Sequence, residues 1–141
     1  MTDLDRIHRN AQKAAAQWQS ALGSYTEATA ELVEIEADIR TVRRSLKDVE
    51  MDAILAGPAM GITGKNTEER KAQLHVALRN SDGYRGLLDD EARLEQQAAA
   101  ARQSADTNQE AMKMAAAILR YATEERRESA ERLATGGGDV G

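Results

Sequence analysis

Gly57, Gly61 and Gly64 lead up to Lys65, and a helix is predicted to start just beyond. Glycines and a lysine at a helix N-terminus are the raw material of a phosphate cradle. Backbone N–H groups point outward there, and the helix dipole favours an anion. A nucleotide-binding P-loop asks for G-x-x-x-x-G-K-[ST] between a strand and a helix. Ahead of Gly64-Lys65 the position that needs Gly holds Ala59, and Asn66 follows where Ser or Thr is required. The preceding segment has a helical pattern rather than that of a strand. GITGKNTEERKAQL therefore reads as an inter-helix loop with a capped restart. Its functional alternative is a generic anion site, with Lys65 and the amides of Asn66, Thr67 and Glu68 meeting a phosphate.

A second set of cations lies upstream. Arg40, Arg43, Arg44 and Lys47 recur at i, i+3, i+4 and i+7, which puts them on one stripe of a helix. Lys65, Arg70, Lys71 and Arg79 follow the loop. Residues 40–79 hold eight basic and five acidic side chains, +3, whereas the other 101 hold eleven basic and nineteen acidic, −8. A locally basic region on an acidic chain is the footprint of an anionic partner: nucleic acid, a nucleotide or an acidic protein surface. The competing reading is a solvated helix surface laced by neighbouring acids. Aromatic platforms for stacking single strands are missing from this region, where only Tyr84 is within reach.

Nothing converges for catalysis. His8 and His75 fall on different elements, and no acid, base and nucleophile are gathered. Paired His spacing for a metal is lacking. With no Cys, thiol chemistry and disulfides are excluded. The expectation is a non-enzymatic protein with no cofactor and no metal.

The elements that must carry these residues are helical. Stepping alternately three and four from Leu4 meets Ile7, Ala11, Ala14, Trp18, Ala21, Tyr25, Ala28, Leu32, Ile35, Ile39, Val42, Leu46, Val49 and Ala53, all apolar. This heptad seam demands one helix of about 50 residues, roughly 75 Å long. Thr2 or Asp3 is its expected N-cap. Gly57-Pro58 ends it, since the residue before Pro avoids helical geometry. Asn66 or Thr67 caps a short return helix, and Asn80-Ser81-Asp82-Gly83 interrupts the pattern, with Asp82 as the expected cap of a restart.

The seam of the last helix is weaker. Tyr84, Leu87, Leu94, Met112 and Leu119 lie on it, but so do Glu91, Asn108 and Arg126. If the long helices pair antiparallel, Trp18 is expected opposite Asn108 to Met112, with Asn108 either taking the indole N–H or left half-exposed.

The expected fold is all-α: a long antiparallel helical hairpin or coiled coil in one domain, residues 1–135. Its parts are a helix about 3–55, a loop 56–66, a short helix about 67–79 and a helix about 83–134, followed by a flexible tail, 136–141. Trp18, Tyr25, Leu32, Ile35, Ile39, Val42, Leu46, Met112 and Leu119 are the expected core. Apolar residues beside the seam, among them Leu55 and Ile118, point to a homo-oligomer, a dimer forming a four-helix bundle being favoured. No apolar run approaches the length of a membrane span, and MTDLDRIHRN lacks a signal-peptide apolar region, so a cytoplasmic location is expected.

GKNTEERKAQL, followed by Leu78, Tyr84, Leu87 and Leu88 as L-x(5)-Y-x(2)-L-L, resembles small helical proteins of tailed phages and prophages. These carry a GKN-x-E-x-R-x-A-Q segment after a long amphipathic helix. The match covers about Ile54 to Glu91, a quarter of the chain. The resemblance implies a phage origin and a place among genes for DNA recombination and single-strand handling. The favoured expectation is a coiled-coil accessory protein of DNA recombination or replication, acting through Arg40, Arg43, Arg44, Lys47, Lys65, Asn66, Thr67, Arg70 and Lys71. The alternatives are an anti-defence protein that sequesters a nucleotide signal or blocks a host immune protein, and a structural or scaffolding rod.

Overall fold

The computed structural model describes residues 2–139 and is all-α. Helix α1 spans Asp3–Ala56, a 3-10 turn Gly57–Met60, α2 Thr67–Arg79 and α3 Asp82–Asp139. Thr2 is the N-cap of α1. Its hydroxyl accepts from Asp5 N at 3.2 Å, and the Asp5 carboxylate accepts from Thr2 N at 3.3 Å, a reciprocal capping box. These bonds from Thr2 hold the Asp5 carboxyl below its ordinary pKa.

The seam of α1 does what its spacing demands. All fifteen positions from Leu4 to Ala53 are buried or half-buried. The chain nevertheless divides into two compact units, one of residues 1–30 with 102–141 and one of residues 31–101, where the sequence suggests one domain.

In the first unit, Ala11, Ala14 and Ala122 form a buried cluster with Leu119 packed against it. Ile7, Ala28 and Ala105 are also buried. Trp18, Tyr25 and Met112 are half-buried rather than enclosed. The register differs from expectation. Asn10, Lys13, Ala14 and Gln17 border one groove with Ile118, Tyr121, Ala122 and Glu125, so Trp18 lies near the level of Ile118, well beyond Asn108. Asn108 instead donates its Nδ2 to the Ser104 carbonyl at 2.8 Å within its own helix. The pattern of a helix fixes which face is buried but leaves the sliding of one alanine-rich face along another to tertiary packing. Arg126, expected on the seam, is exposed, as is Leu133, while Glu125 and Ser129 are half-buried.

The second unit is built on Ile39, Leu94 and Ala98, with Leu32, Ile35 and Val42 against them. Leu46, Ala53 and, from α2, Leu78 are also buried. The α1 and α3 segments run antiparallel. Arg43 Nε and Nη2 reach Glu91 Oε2 at 3.1 Å and Glu95 Oε1 at 2.9 Å, while Glu50, two turns on, meets Tyr84, about two turns back. The polar seam residue Glu91 is thus an ion-pair partner.

Two boundaries correct the sequence reading. Ser81, not Asp82, caps α3, because its Oγ accepts from Tyr84 N at 3.3 Å. The helix also continues past residue 134 to Asp139, so the Gly136-Gly137-Gly138 run is helical rather than a tail. Glycine lowers helix stability by about 1 kcal/mol each relative to Ala but does not forbid the conformation. Val140 and Gly141, the end of the expected tail, lie outside the described residues.

Tyr84 Oη donates to Glu50 Oε1 at 3.0 Å. Burial first, and then this bond to a carboxylate, raise the Tyr84 pKa above its ordinary value of 10.0. A phenol that holds its proton more tightly when folded stabilises the fold fully below the unfolded pKa, and that contribution is lost as pH rises through the folded value. Unfolding followed across alkaline pH should show the second unit weakening above about pH 10. Tyr84→Phe should lose that added slope, and an unchanged slope would count against the Tyr84–Glu50 bond.

Candidate anion-binding surface

The loop before α2 is closed by its own side chains. Gln73 Oε1 accepts from Thr63 N at 2.8 Å and from Gly64 N at 2.7 Å. Glu69 Oε2 accepts from Lys65 N at 3.0 Å, and Asn66 Oδ1 accepts from Glu69 N at 2.8 Å. The reversal itself uses Gly57 and Gly61, with φ of 50° and 79°, a region that side chains disfavour. Gly64 is required by space. A Cβ there would stand 2.6 Å from Glu69 Cβ and 3.1 Å from Arg70 N.

This wiring takes the amides of Thr63, Gly64, Lys65 and Glu69 within the loop, and not those of Asn66, Thr67 and Glu68 on which the anion-site alternative rests. Glu68 and Glu69 already place two carboxylates in the first turn of α2, where the dipole is satisfied and a second anion is repelled. Asn66 serves as N-cap and Thr67 as the first helical residue, so both work for the helix. Gln73 was not legible as part of this loop. It reaches back nine and ten residues along a path that no periodicity encodes.

The cations separate into different roles. Arg43, between Glu91 and Glu95, joins α1 to α3, and these bonds, first from Glu95 and then from Glu91, raise its pKa. Its expected anion partner is thus met inside the chain. Arg40, Arg44 and Lys47 are exposed and make no ion pair among the described residues. Lys65, Arg70 and Lys71 are exposed too. Thr67, Arg70 and Lys71 border a cavity of about 270 Å³ whose remaining wall is Ile54, Gly57, Ile62 and Leu74. Ile54 stands seven residues after Lys47 and fourteen after Arg40, so the cationic stripe of α1 points along the helix toward this cavity.

The two histidines are not brought together. His8 is in the first unit, and His75 in the second, where Arg79 Nη2 lies 2.7 Å from its Nε2 along α2. No group of three or more His, Asp or Glu side chains among the described residues is arranged to hold a metal. No helix among them is long and apolar enough to cross a membrane.

Compared with family models, with curated proteins and with solved structures, the chain matches none.

Proposed function

We propose that this is a non-enzymatic helical binding protein that engages an anionic partner through the cationic side of the second unit. One observation carries the reading. Arg40, Arg44 and Lys47 stand exposed at i, i+4 and i+7 with no ion pair among the described residues, whereas Arg43 among them is doubly paired. Charge left unneutralised on one helix face, in a chain of net charge −5, attracts a partner of opposite sign. Lys65, Arg70 and Lys71 extend the surface past the loop. With the resemblance to phage helical proteins, the favoured form is an accessory role in phage DNA recombination or replication.

The test is binding to single- and double-stranded oligonucleotides across a salt series. Arg70→Glu with Lys71→Glu should weaken binding, and the salt slope should fall by roughly one for each phosphate that is no longer neutralised. Affinity unmoved by this double reversal would sink the nucleic-acid form. The cavity favours a second reading. Its apolar wall and its Thr67, Arg70 and Lys71 rim suit a small anion with an apolar part, as in an anti-defence protein that sequesters a nucleotide signal. Calorimetry against cyclic nucleotides would give heat in that case and none in the first.

A further inference from the structure

The exposed face of α1 is not purely cationic. Beyond Arg40, Arg44 and Lys47, two further steps of four along the same side of the helix reach Met51, 55% exposed, and Leu55, 77% exposed. Phosphates have no use for such aliphatic groups, and large exposed apolar side chains in line with charges mark a protein contact. The matching surface lies on the same chain. Along α3, Met114, Ile118 and Tyr121, at 67%, 48% and 70% exposure, continue at i+11 and i+14 into the half-buried Glu125 and the exposed Glu128. Neither glutamate makes an ion pair among the described residues.

The two stripes are complementary in length and order. Each runs about fourteen residues, roughly 21 Å of helix. The α1 stripe is basic then apolar; the α3 stripe is apolar then acidic. Laid antiparallel, Arg40 meets Glu128 and Arg44 meets Glu125. Met51 and Leu55 then fall on Ile118 and Met114, and Tyr121 comes level with Lys47, where its ring can cover the lysine stem. Apolar seams flanked by opposite charges are how helices choose partner and direction.

We infer that the α1 stripe of one copy docks antiparallel on the α3 stripe of a second copy of this chain. The inference rests on the reading that the α1 cations face an anionic partner, and names that partner. It leaves Lys65, Arg70 and Lys71 to any further anion.

The experiment is solution mass of the full chain over a concentration series, with helicity checked by circular dichroism. One variant carries R40E and R44E, making both stripes acidic. The other carries E125K and E128K, making both basic. Wild type should self-associate, each variant alone should associate about tenfold more weakly or worse, and a 1:1 mixture should recover a heteromeric complex. The recovery excludes misfolding as the cause. A wild type that stays monomeric overturns the inference, and so does association insensitive to either reversal, or a mixture that fails to recover. R70E/K71E, outside both stripes, should leave mass unchanged. Oligonucleotide binding by a monomeric wild type would overturn self-docking while leaving the proposed function standing.

Discussion

Ile39→Ala should destabilise the second unit by about 2–5 kcal/mol, the cost of reduced burial plus a cavity. Ile39 is 5% exposed and packs in one cluster with Leu94 and with Ala98, which is 0% exposed. Ala98→Leu should cost about 1–3 kcal/mol for the opposite reason, since extra volume enters a site with no free space. The double variant Ile39→Ala/Ala98→Leu should lose less than the sum, because the leucine enters the space that the isoleucine vacates. Urea unfolding of all three, with amide exchange read over residues 31–101, separates this from a general loss of helix. Strict additivity would show that the two side chains do not face each other across the helix pair.

Gln73→Leu should release the loop. The substitution keeps the bulk of the side chain but removes the one oxygen that receives both Thr63 N–H and Gly64 N–H. Leaving a buried donor unmet costs about 1–3 kcal/mol, and the lower end applies here because the Thr63 bond is open to water. The reporter is hydrogen exchange at Thr63 and Gly64, which should accelerate in Gln73→Leu. Gln73→Glu retains an acceptor and should keep both amides protected. Equal exchange in wild type and Gln73→Leu would remove Gln73 from the account of the loop.

The loop also shows where motif reading reaches its limit. Residue identity alone excluded a P-loop, through Ala59 and Asn66. It did not reveal what replaces the phosphate. The replacement is a carboxamide and a carboxylate, brought from α2 by a turn whose path depends on Gly61 at φ 79° and on the close approach of Gly64 to Glu69. Such contacts across a few residues of irregular backbone leave no periodic trace.

The cationic stripe teaches a related lesson. Arg40, Arg43, Arg44 and Lys47 are alike in sequence and share a helix face by spacing alone. Only packing against α3 distinguishes them. Arg43 sits near enough to the seam for Glu91 and Glu95 to reach it, and the other three make no ion pair among the described residues.

What the sequence determined by itself is the periodic part of the protein. Fifteen apolar positions at heptad spacing dictated one unbroken helix and the face it buries, and Pro58, Asn66 and the glycines dictated where it stops and where α2 begins. These are local consequences of side-chain geometry and backbone sterics, which any window of the chain carries within it. The tertiary structure decided the register that sets Trp18 near Ile118 rather than Asn108, the commitment of Arg43, the closure by Gln73 and the exposure of the α1 and α3 stripes. Each depends on how far one helix slides along another, and alanine-rich faces are too smooth for sequence periodicity to fix that distance.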